Sequence, residues 1–546
     1  GVFEFSRAAY HSSALGCRIC YSRGVHPDNR SHGMYFPDSD APLRTRQDYL
    51  DADPNRGFSG RSLITKLAVF AGPQTLVFDE LHTLGRGVAS ELYQMLTVSL
   101  SPSNTKFYYC HQDQGFEIQN YPFYISKQRL KEIGEGIDQT RQYIPVAFDG
   151  SFLNIIGNTR GARAVDYLDF ALYVVPTLIV PELRDSEARK AIMALTRGMC
   201  LSLQWRFTQD SLDEIQDCIS FFHNYCRQKR DERELSVSIF RPVMHYLSHI
   251  SWIIRRQGPL VVYSTRSQER SIGKFSDLIT GKVQTHKQAS NLIETVAIRN
   301  FVKRTFDTNS YLQGIRPSPY SSASYLDHAS TSNQLWEPFE NHDFRNAALD
   351  ETFESVTIRK IKKALAKFYR RLFSDADLTA PGALVFVVAL RAWVDTIEIP
   401  CERYRKKIGE FRRGNHHVMF RSYHRHSING RSIPHWFVGT ILFFFEHTFQ
   451  GERYFLAFVE VMKRHTVASH DKSIPVVYMN QSRLQQLAIG NERVIDSKYA
   501  VIKIDDILLQ VGLVQSLDDE LKYSVIGNYH VFEQDMSVDA GNIVNL

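Results

Sequence analysis

Long hydrophobic runs, paired cysteines and a strong charge of either sign are all scarce in this sequence of 546 residues. The apolar run Trp436 to Phe445 is far shorter than the roughly 20 residues that cross a bilayer, and we expect no membrane-spanning helix. The first residues lack a basic stretch followed by an apolar one, which argues against a secretory signal. Because the first residue is Gly1 rather than methionine, we expect the chain to begin within a longer protein.

The seven cysteines are an odd number in a long chain, which argues against a disulfide framework and for a reducing compartment. The net charge of +6 fits a nucleic-acid binder and a protein with neutral partners equally well. Apolar residues make up 43% and charged residues 23%, values typical of folded globular proteins. The length predicts about three domains.

Residue patterns along the chain predict an α+β protein. The apolar spacing between Ser62 and Trp252 is mostly helical, and a β-like run from Leu260 to Tyr263 precedes a helix that reaches about Ile279. Residues 308–343, dense in Ser, Asn, Pro and Asp, are typical of a linker or long loop. Short β-branched and aromatic runs after Phe437 predict a small antiparallel barrel or sandwich.

Two residue pairs have the spacing of metal ligands. Cys17 and Cys20 form a CxxC motif, in which one tight turn presents two thiolates to a Zn²⁺ ion that prefers tetrahedral sulfur and nitrogen ligands. His245 and His249 are four apart in a segment with helical spacing, so both imidazoles lie on one helix face. Either pair can also be incidental, and the residues alone do not join them.

Basic residues cluster in Arg359 to Arg371 and in Arg403 to Arg425, and aromatic residues are interleaved in the second cluster. This composition is typical of nucleic-acid binding, although a solvated helix face has the same composition. The candidate DNA-binding residues are Arg359, Lys360, Lys362, Lys363, Arg370, Arg371, Arg405, Lys406 and Lys407.

Five motifs follow one another in an order that is similar to the CACTA-type DDE transposases. The resemblance extends over roughly Gly1 to Val302 and implies a ribonuclease-H-like core, a large α-helical insertion, and a final helix that returns a glutamate to the core. The motifs are GCRIC at Cys17 to Cys20, FDELH at Phe78 to His82, RAVDY at Arg163 to Tyr167, MHYLSH at His245 to His249, and GPLVVYSTRSQERSIG at Glu269.

The resemblance implies roles for three residues. Glu269 matches the catalytic glutamate of an aromatic-Glu-Arg signature, with Gln268 in the aromatic position. Asp79 and His82 match an Asp-x2-His motif of the insertion. For Asp79 we favour a structural hydrogen-bonding role, while an N-cap and a polar contact to the active site remain alternatives.

The chain also resembles the vertebrate recombination-activating recombinase, in which a CxxC motif pairs with two histidines that precede the catalytic glutamate. This similarity implies one structural zinc site formed by Cys17, Cys20, His245 and His249. A zinc ion there would fix the returning helix against the catalytic sheet.

DNA strand transfer by such an enzyme is an in-line phosphoryl displacement that uses two Mg²⁺ ions held by three carboxylates. The first two aspartates are expected before Gly1, because no residue near Glu4 matches their motif. The chain as written is therefore expected to be inactive, as a truncated or decayed transposase. The alternatives are a catalytically inactive, transposon-derived DNA-binding or regulatory protein, and a helical interaction domain with an incidental CxxC motif.

The resemblance further implies DNA as the partner, a nuclear location and an assembly of several copies, with no membrane and no small-molecule substrate. The expected domains are the end of the ribonuclease-H-like core (1–50), the helical insertion (51–252), the returning catalytic helix (253–305), a linker (306–350), a basic helical segment (351–425) and a β-rich C-terminal domain (426–546).

Overall fold

The fold is described from a computed structural model of the chain. Helices fill its first part and an antiparallel sheet fills its second, so the fold class is α+β, as the sequence predicts. The structure describes residues 6–26, 33–38, 40–76, 78–109, 117–148, 150–279, 284–305, 325–327, 333–373, 384–395, 397–404, 413–425, 432–462, 464–479 and 498–537.

The helical part has the amphipathic pattern that the sequence predicts. In the helix Gln209–Asp231, the Thr208 side chain caps the first turn, and Leu212, Ile215 and Ile219 form a buried stripe at helical spacing. The α-helices described here are α1 (Arg46–Asp51), α2 (Ser90–Leu96), α3 (Pro102–Tyr108), α4 (Lys127–Thr140), α5 (Ala164–Asp169), α6 (Ser186–Ser202), α7 (Gln209–Asp231), α8 (Pro242–Tyr246), α9 (Ile250–Gln257), α10 (Arg266–Leu278) and α11 (Thr285–Thr305).

The most apolar helix of the chain forms the centre of this part. Helix α5 continues as wider π-helical turns over Phe170–Ile179, and all ten residues of that segment are buried. The run Ala164–Glu182 is long and apolar enough to cross a membrane, and 83% of its apolar window is buried inside the protein. Burial of this kind is typical of a core helix.

The second part is a 12-stranded sheet whose neighbouring strands all pair antiparallel. A hairpin of two short strands, β3 (Thr352–Phe353) and β4 (Val356–Thr357), precedes a helix, α12 (Ile358–Leu372), that packs on the sheet. The sheet strands are β1 (Tyr325–Asp327), β2 (Gln334–Asp343), β5 (Val385–Val394), β6 (Ile397–Pro400), β7 (His417–Arg425), β8 (Ser432–Phe449), β9 (Glu452–Val461), β10 (Arg464–Val467), β11 (Pro475–Tyr478), β12 (Lys498–Lys503), β13 (Ile507–Gln515) and β14 (Lys522–Gly527).

The sheet includes segments for which the sequence predicts other structures. Among the described residues, those of 306–350, predicted as a linker, supply β1 and β2, and those of 351–425, predicted as helical, include α12 and the strands β3 to β7. The apolar residues of β2 are interrupted by Pro338 and by charges, which hides its alternation. Strand β5 is apolar at nearly every position, although only one of its faces is fully buried, so its sequence shows no polar alternation. The run Leu260 to Tyr263, predicted as β-like, is a short 3₁₀ turn.

The sheet packs directly on the helical part. Val514 and Ile526, from two neighbouring strands, belong to the same buried cluster as the helices. At the edge of this contact, Arg129 of α4 pairs with Asp518 at 2.8 Å. The position of the helices relative to the sheet is therefore set by shared core packing as well as by charge.

His465 of β10 makes folding of the sheet sensitive to acid. Its ring is 6% exposed, its Nε2 atom accepts the backbone N–H of Val438 at 3.0 Å, and burial lowers its pKa to about 3. The unfolded chain binds a proton near pH 6.5, so the free energy of unfolding should fall as the pH drops from about 6.5 towards 3. At pH 5 we expect a loss of about 2 kcal/mol.

Urea unfolding at pH 7 and pH 5 measures this loss. The His465→Phe variant keeps an aromatic ring without a titrating group. In this variant, the free energy of unfolding should differ less between pH 7 and pH 5, by most of that amount. An unchanged difference in the variant would place the acid sensitivity elsewhere.

Candidate metal centre and carboxylate site

The cysteine pair lies on a tight, buried turn near the start of the chain. Cys17 and Cys20 are 2% and 0% exposed. A side chain at Gly16 would come within 2.6 Å of the Tyr10 carbonyl oxygen, so the turn can pack there only with glycine. Two backbone N–H groups donate to Cys17 Sγ at 3.4 and 3.5 Å, and one donates to Cys20 Sγ at 3.3 Å. These bonds favour both sulfurs as thiolates.

Arg44 binds the carbonyl groups of this turn and was not predicted from the sequence. Its guanidinium donates to the carbonyl oxygens of Cys17 and Cys20, at 2.8 and 3.1 Å, and to that of Leu15 at 3.0 Å. The residue is 2% exposed. No local motif marks such an arginine, because its role depends on carbonyl groups 24 and 27 residues away.

The two histidines come from the end of one helix and from the turn that follows it. His245 lies in α8, and His249 ends a 3₁₀ turn, Leu247–His249, that leads into α9. The sequence predicts that both histidines lie on one regular α-helix, whereas the structure has a 3₁₀ turn between α8 and α9. The two Nε2 atoms nevertheless lie 3.2 Å apart, and the rings are 2% and 3% exposed.

The two pairs meet in space as one cluster. Cys17 Sγ lies 3.6 Å from His249 Nε2, and Cys20 Sγ lies 3.3 Å from His245 Nε2, although these partners are 232 and 225 residues apart. All four ligand atoms lie within 4.8 Å of one another. A tetrahedral Zn²⁺ ion, with Zn–S of about 2.3 Å and Zn–N of about 2.0 Å, separates its ligands by roughly 3.3–3.8 Å. The cluster could therefore hold a metal such as zinc.

Electrostatics in the cluster favour a bound cation. Burial raises the pKa of the Cys17 thiol, but hydrogen bonds from Cys20, His245 and His249 outweigh it and hold that pKa well below its ordinary value. The hydrogen bond to Cys17 and burial together raise the pKa of Cys20. Burial lowers the pKa of His249 and keeps its ring neutral. Two sulfurs compete for one negative charge, and a divalent cation would stabilise both thiolates.

A second cluster forms where the FDELH segment meets the start of α10. Asp79 Oδ1 accepts the N–H groups of Leu81 and Thr265, at 3.2 and 3.1 Å, and Oδ2 accepts the N–H of His82 at 2.9 Å and contacts the His82 ring. Burial raises the pKa of Asp79, but these bonds lower it overall. Asp79 thus caps its own helical segment and also binds the residue that precedes α10. The N-cap role and the structural hydrogen-bonding role, which the sequence left as alternatives, are therefore both present.

Glu80, next in sequence, holds the same end of α10 and was missed as a site residue. It is 1% exposed, and its Oε1 atom accepts the Ser264 hydroxyl and the Arg266 Nε–H group, both at 2.8 Å. Burial raises its pKa. Arg266 also donates to the hydroxyl of Tyr529, after the last strand, at 3.0 Å. Glu80 lies inside the FDELH motif, which is the sequence signal that could have marked it, but its partners become evident only in the folded structure.

Glu269 lies in the first turn of α10 and faces solvent. Its side chain is 47% exposed, and its Oε1 atom lies 3.4 Å from His82 Nε2. Within the described part of the chain, the Cys17 cluster is the only group of three or more potential metal ligands, so Glu269 belongs to no such group there. Asp79, His82 and Glu269 form a chain of contacts rather than a complete metal site.

The pair of Glu80 and Arg266 should contribute strongly to stability. Replacing Glu80 by glutamine leaves the Arg266 charge, whose side chain is 18% exposed, without its carboxylate. Loss of one partner of a buried pair costs about 3–5 kcal/mol. Urea unfolding of Glu80→Gln measures this, with Glu135→Gln as the matched control, since Glu135 pairs with Lys131 on the surface at 3.8 Å. The control should change stability by less than about 1 kcal/mol, and equal effects would contradict the assignment.

The candidate DNA-binding residues that the structure describes lie on α12. Its apolar face, with Leu365 and Phe368, is buried against the sheet, and Arg359, Lys363 and Arg370 are exposed on the other side. Three further candidates on α12 lie closer to the sheet. Lys360 lies 5.4 Å from the centre of the Tyr499 ring, Lys362 is half-buried, and Arg371 donates to the Val501 carbonyl at 3.2 Å. The last three candidates, Arg405, Lys406 and Lys407, lie outside the described residues.

Comparisons with known proteins leave the family open. No protein-family model matches the sequence. No curated protein matches it either. The residues of the two clusters and their geometry are therefore the basis on which a function is assigned.

Proposed function

We propose that the chain belongs to a CACTA-type DDE transposase, whose complete gene product cleaves and joins DNA with Mg²⁺. In this proposal Glu269 is one of three carboxylates that hold the metal ions, and the other two precede the CxxC motif. The observation that carries it is the meeting of Cys17 and Cys20 with His245 and His249, from motifs 225 and 232 residues apart. Chance resemblance of separate motifs gives no reason for them to meet.

We also infer that residues 1–50 and helix α10 belong to one ribonuclease-H-like core that the helices in between interrupt. Two groups of contacts support this inference, because each joins an early segment of the chain to a segment at the end of the helical part. The metal cluster joins the first residues to the turn before α9, and the segment with Asp79 and Glu80 holds the start of α10. A metal at the cluster would fix the distance between both ends of the insertion.

A second candidate is a DNA-binding protein without catalysis, derived from such an enzyme. It is favoured by the exposed basic side chains on the outer side of α12. The exposed basic residues of α12, Arg359, Lys363 and Arg370, would then bind phosphates. Replacing Lys363 and Arg370 by alanine should weaken binding to all DNA sequences and reduce the salt slope by about one for each of the two substitutions.

Incubating the gene product with end-labelled DNA in Mg²⁺ separates the two candidates. Catalysis predicts strand breaks with free 3′-hydroxyl ends in Mg²⁺ and in Mn²⁺, and none in Ca²⁺. DNA that is bound in a salt-dependent manner but stays intact with every metal would overturn the transposase proposal in favour of the second candidate. Absence of both cleavage and binding would exclude both.

A further inference from the structure

A groove follows the seam between helices α6 and α7. It consists of two cavities, of about 790 and 230 Å³, that meet at Phe221, which lines both of them. At a rise of 1.5 Å per residue, the stretch of α7 from Asp210 to Gln228 is about 27 Å long. The α7 residues along the groove recur at helical spacing and so share one face: Asp210, Asp213, Glu214, Asp217, Cys218, Phe221, Asn224, Tyr225 and Gln228.

The floor of the groove is apolar. Met193 and Ala194 of α6 line it on one side, and Phe221 of α7 lines it on the other. Phe221 is 44% exposed, whereas Leu212 and Ile215 of the same helix are buried. A large apolar side chain left open in a concave surface is typical of a place that receives an apolar group of a partner.

The rim of the groove is acidic. Seven acidic and three basic residues line it, which gives a formal charge of −4 on a chain whose net charge is +6. Asp210 and Asp217 are exposed there. Each of the three bases is paired with a glutamate: Arg197 with Glu214 at 2.7 Å, Lys190 with Glu187 at 2.8 Å, and Lys229 with Glu232 at 2.9 Å.

The acidic residues of α7 repel one another along this face. Asp210 and Glu214 are four residues apart in the helix. The same spacing separates Asp213 from Asp217, and like charges at this spacing are destabilising. The helix N-terminus stabilises acids only within the first turn, which includes Asp210 but not Asp217. A cationic partner in the groove would remove this repulsion.

We propose that the groove binds a basic peptide segment of a partner protein. Its lysine or arginine side chains pair with the acidic rim, and one apolar side chain packs against Met193 and Phe221. An extended chain advances about 3.3 Å per residue, so the groove accepts about eight residues. The phosphates of a nucleic acid would be repelled by the same rim. The proposal involves neither the metal cluster nor Glu269 and is independent of the proposed function.

Fluorescence anisotropy with the labelled peptide Lys-Arg-Lys-Leu-Lys-Arg-Lys measures binding to the full chain. We expect saturable binding of one peptide per chain, which weakens as salt rises because salt screens exposed charges. Replacing the leucine of the peptide by serine should weaken binding about tenfold, since the apolar contact with the floor is lost. Absence of saturable binding, or equal affinity of the two peptides, would overturn the proposal.

Charge variants of the protein test the rim. Asp210→Asn with Asp217→Asn should weaken binding of the leucine peptide about fivefold, because two exposed ion pairs are lost. Asp51→Asn with Asp138→Asn, an equal charge change at exposed positions of α1 and α4, is the matched control and should bind like the wild type. Both double variants should keep the wild-type circular dichroism spectrum, since all four side chains are exposed.

Phe221→Ser tests the floor and should weaken binding of the leucine peptide about tenfold, the scale of an apolar anchor in an interface. Phe301→Ser, at an exposed phenylalanine of α11, is the matched control and should have no effect. In Phe221→Ser the leucine and serine peptides should bind alike, a result that loss of charge alone does not give.

Three results would overturn the proposal. The first is binding by Asp210→Asn with Asp217→Asn at the wild-type affinity. The second is displacement of the peptide by duplex DNA, which would assign the groove to a nucleic acid. The third is a mass of twice 62.9 kDa by light scattering that falls to the single-chain mass when the peptide is added, which would assign the groove to a second copy of this chain.

Discussion

A zinc ion bound by Cys17, Cys20, His245 and His249 would hold the helical part of the protein together, so its chelation is expected to unfold these helices. The four side chains are at most 3% exposed and join segments that are separated by more than 200 residues. Without a cation, two buried sulfurs compete for one negative charge beside two buried imidazoles. Burial of polar groups in that state is costly.

The expected effect is large relative to the stability of a protein. Apparent binding free energies of structural Zn²⁺ are about 10–16 kcal/mol in zinc-finger peptides at pH 7. Whole domains are stable by only about 5–15 kcal/mol. Even half of the zinc contribution would therefore remove most of the stability of the helices that depend on this cluster.

Metal analysis and thermal unfolding followed by circular dichroism check this prediction. The wild-type protein should contain one zinc per chain, and Cys20→Ser and His249→Ala should contain none and melt at lower temperature. His249→Cys, which keeps four donor atoms, should retain the metal. Cys226→Ser is the matched control, since Cys226 is a buried cysteine outside the cluster.

Substitution with Co²⁺ gives a readout that simple loss of packing does not change. A tetrahedral site with two sulfur and two nitrogen ligands should give visible absorption bands, which should shift in His249→Cys and stay unchanged in Cys226→Ser. Zinc that persists after both His245→Ala and His249→Ala are introduced together would show that the cluster is not the metal site.

The metal cluster could be anticipated from sequence only in part. Spacing identified Cys17 with Cys20, and His245 with His249, as two pairs of ligands. Joining the pairs required resemblance to a family, because no local pattern tells which distant pair completes a site. Arg44, which binds the carbonyl groups of the cysteine turn, has no sequence signal at all, since its partners are defined by the folded turn.

The other differences between the sequence predictions and the structure have the same physical origin, which is contact between residues far apart in the chain. Helices such as α7 were predictable because their buried stripe repeats within one element. Strand β5 pairs with β2, β6 and β8, so its identity depends on neighbours that are far away in sequence. In the sequence, Glu80 has no feature that distinguishes it from an exposed glutamate. Its burial depends on Ser264 and Arg266, which lie at the start of α10.

Under the transposase proposal, replacing Glu269 by glutamine in the complete gene product is expected to reduce DNA cleavage in Mg²⁺ by at least about 10³-fold, the scale on which loss of one essential catalytic group acts. The substitution keeps the shape of the side chain and removes the charge that would bind a metal ion. Because the side chain is 47% exposed, stability should change by less than about 0.5 kcal/mol. DNA affinity in Ca²⁺ should stay within about twofold, since in this proposal other residues carry the phosphate contacts.

Glu294→Gln is the control for this prediction, since Glu294 is an exposed glutamate on the neighbouring helix α11 and should be dispensable for cleavage. Glu269→Cys provides a direct test of metal binding. A thiolate is a poor ligand for Mg²⁺ and a better one for Mn²⁺, so this variant should be inactive in Mg²⁺ and regain part of its activity in Mn²⁺. A purely structural role of Glu269 gives no reason for activity to depend on the metal supplied. Cleavage at the wild-type rate by Glu269→Gln would remove this residue from the catalytic site.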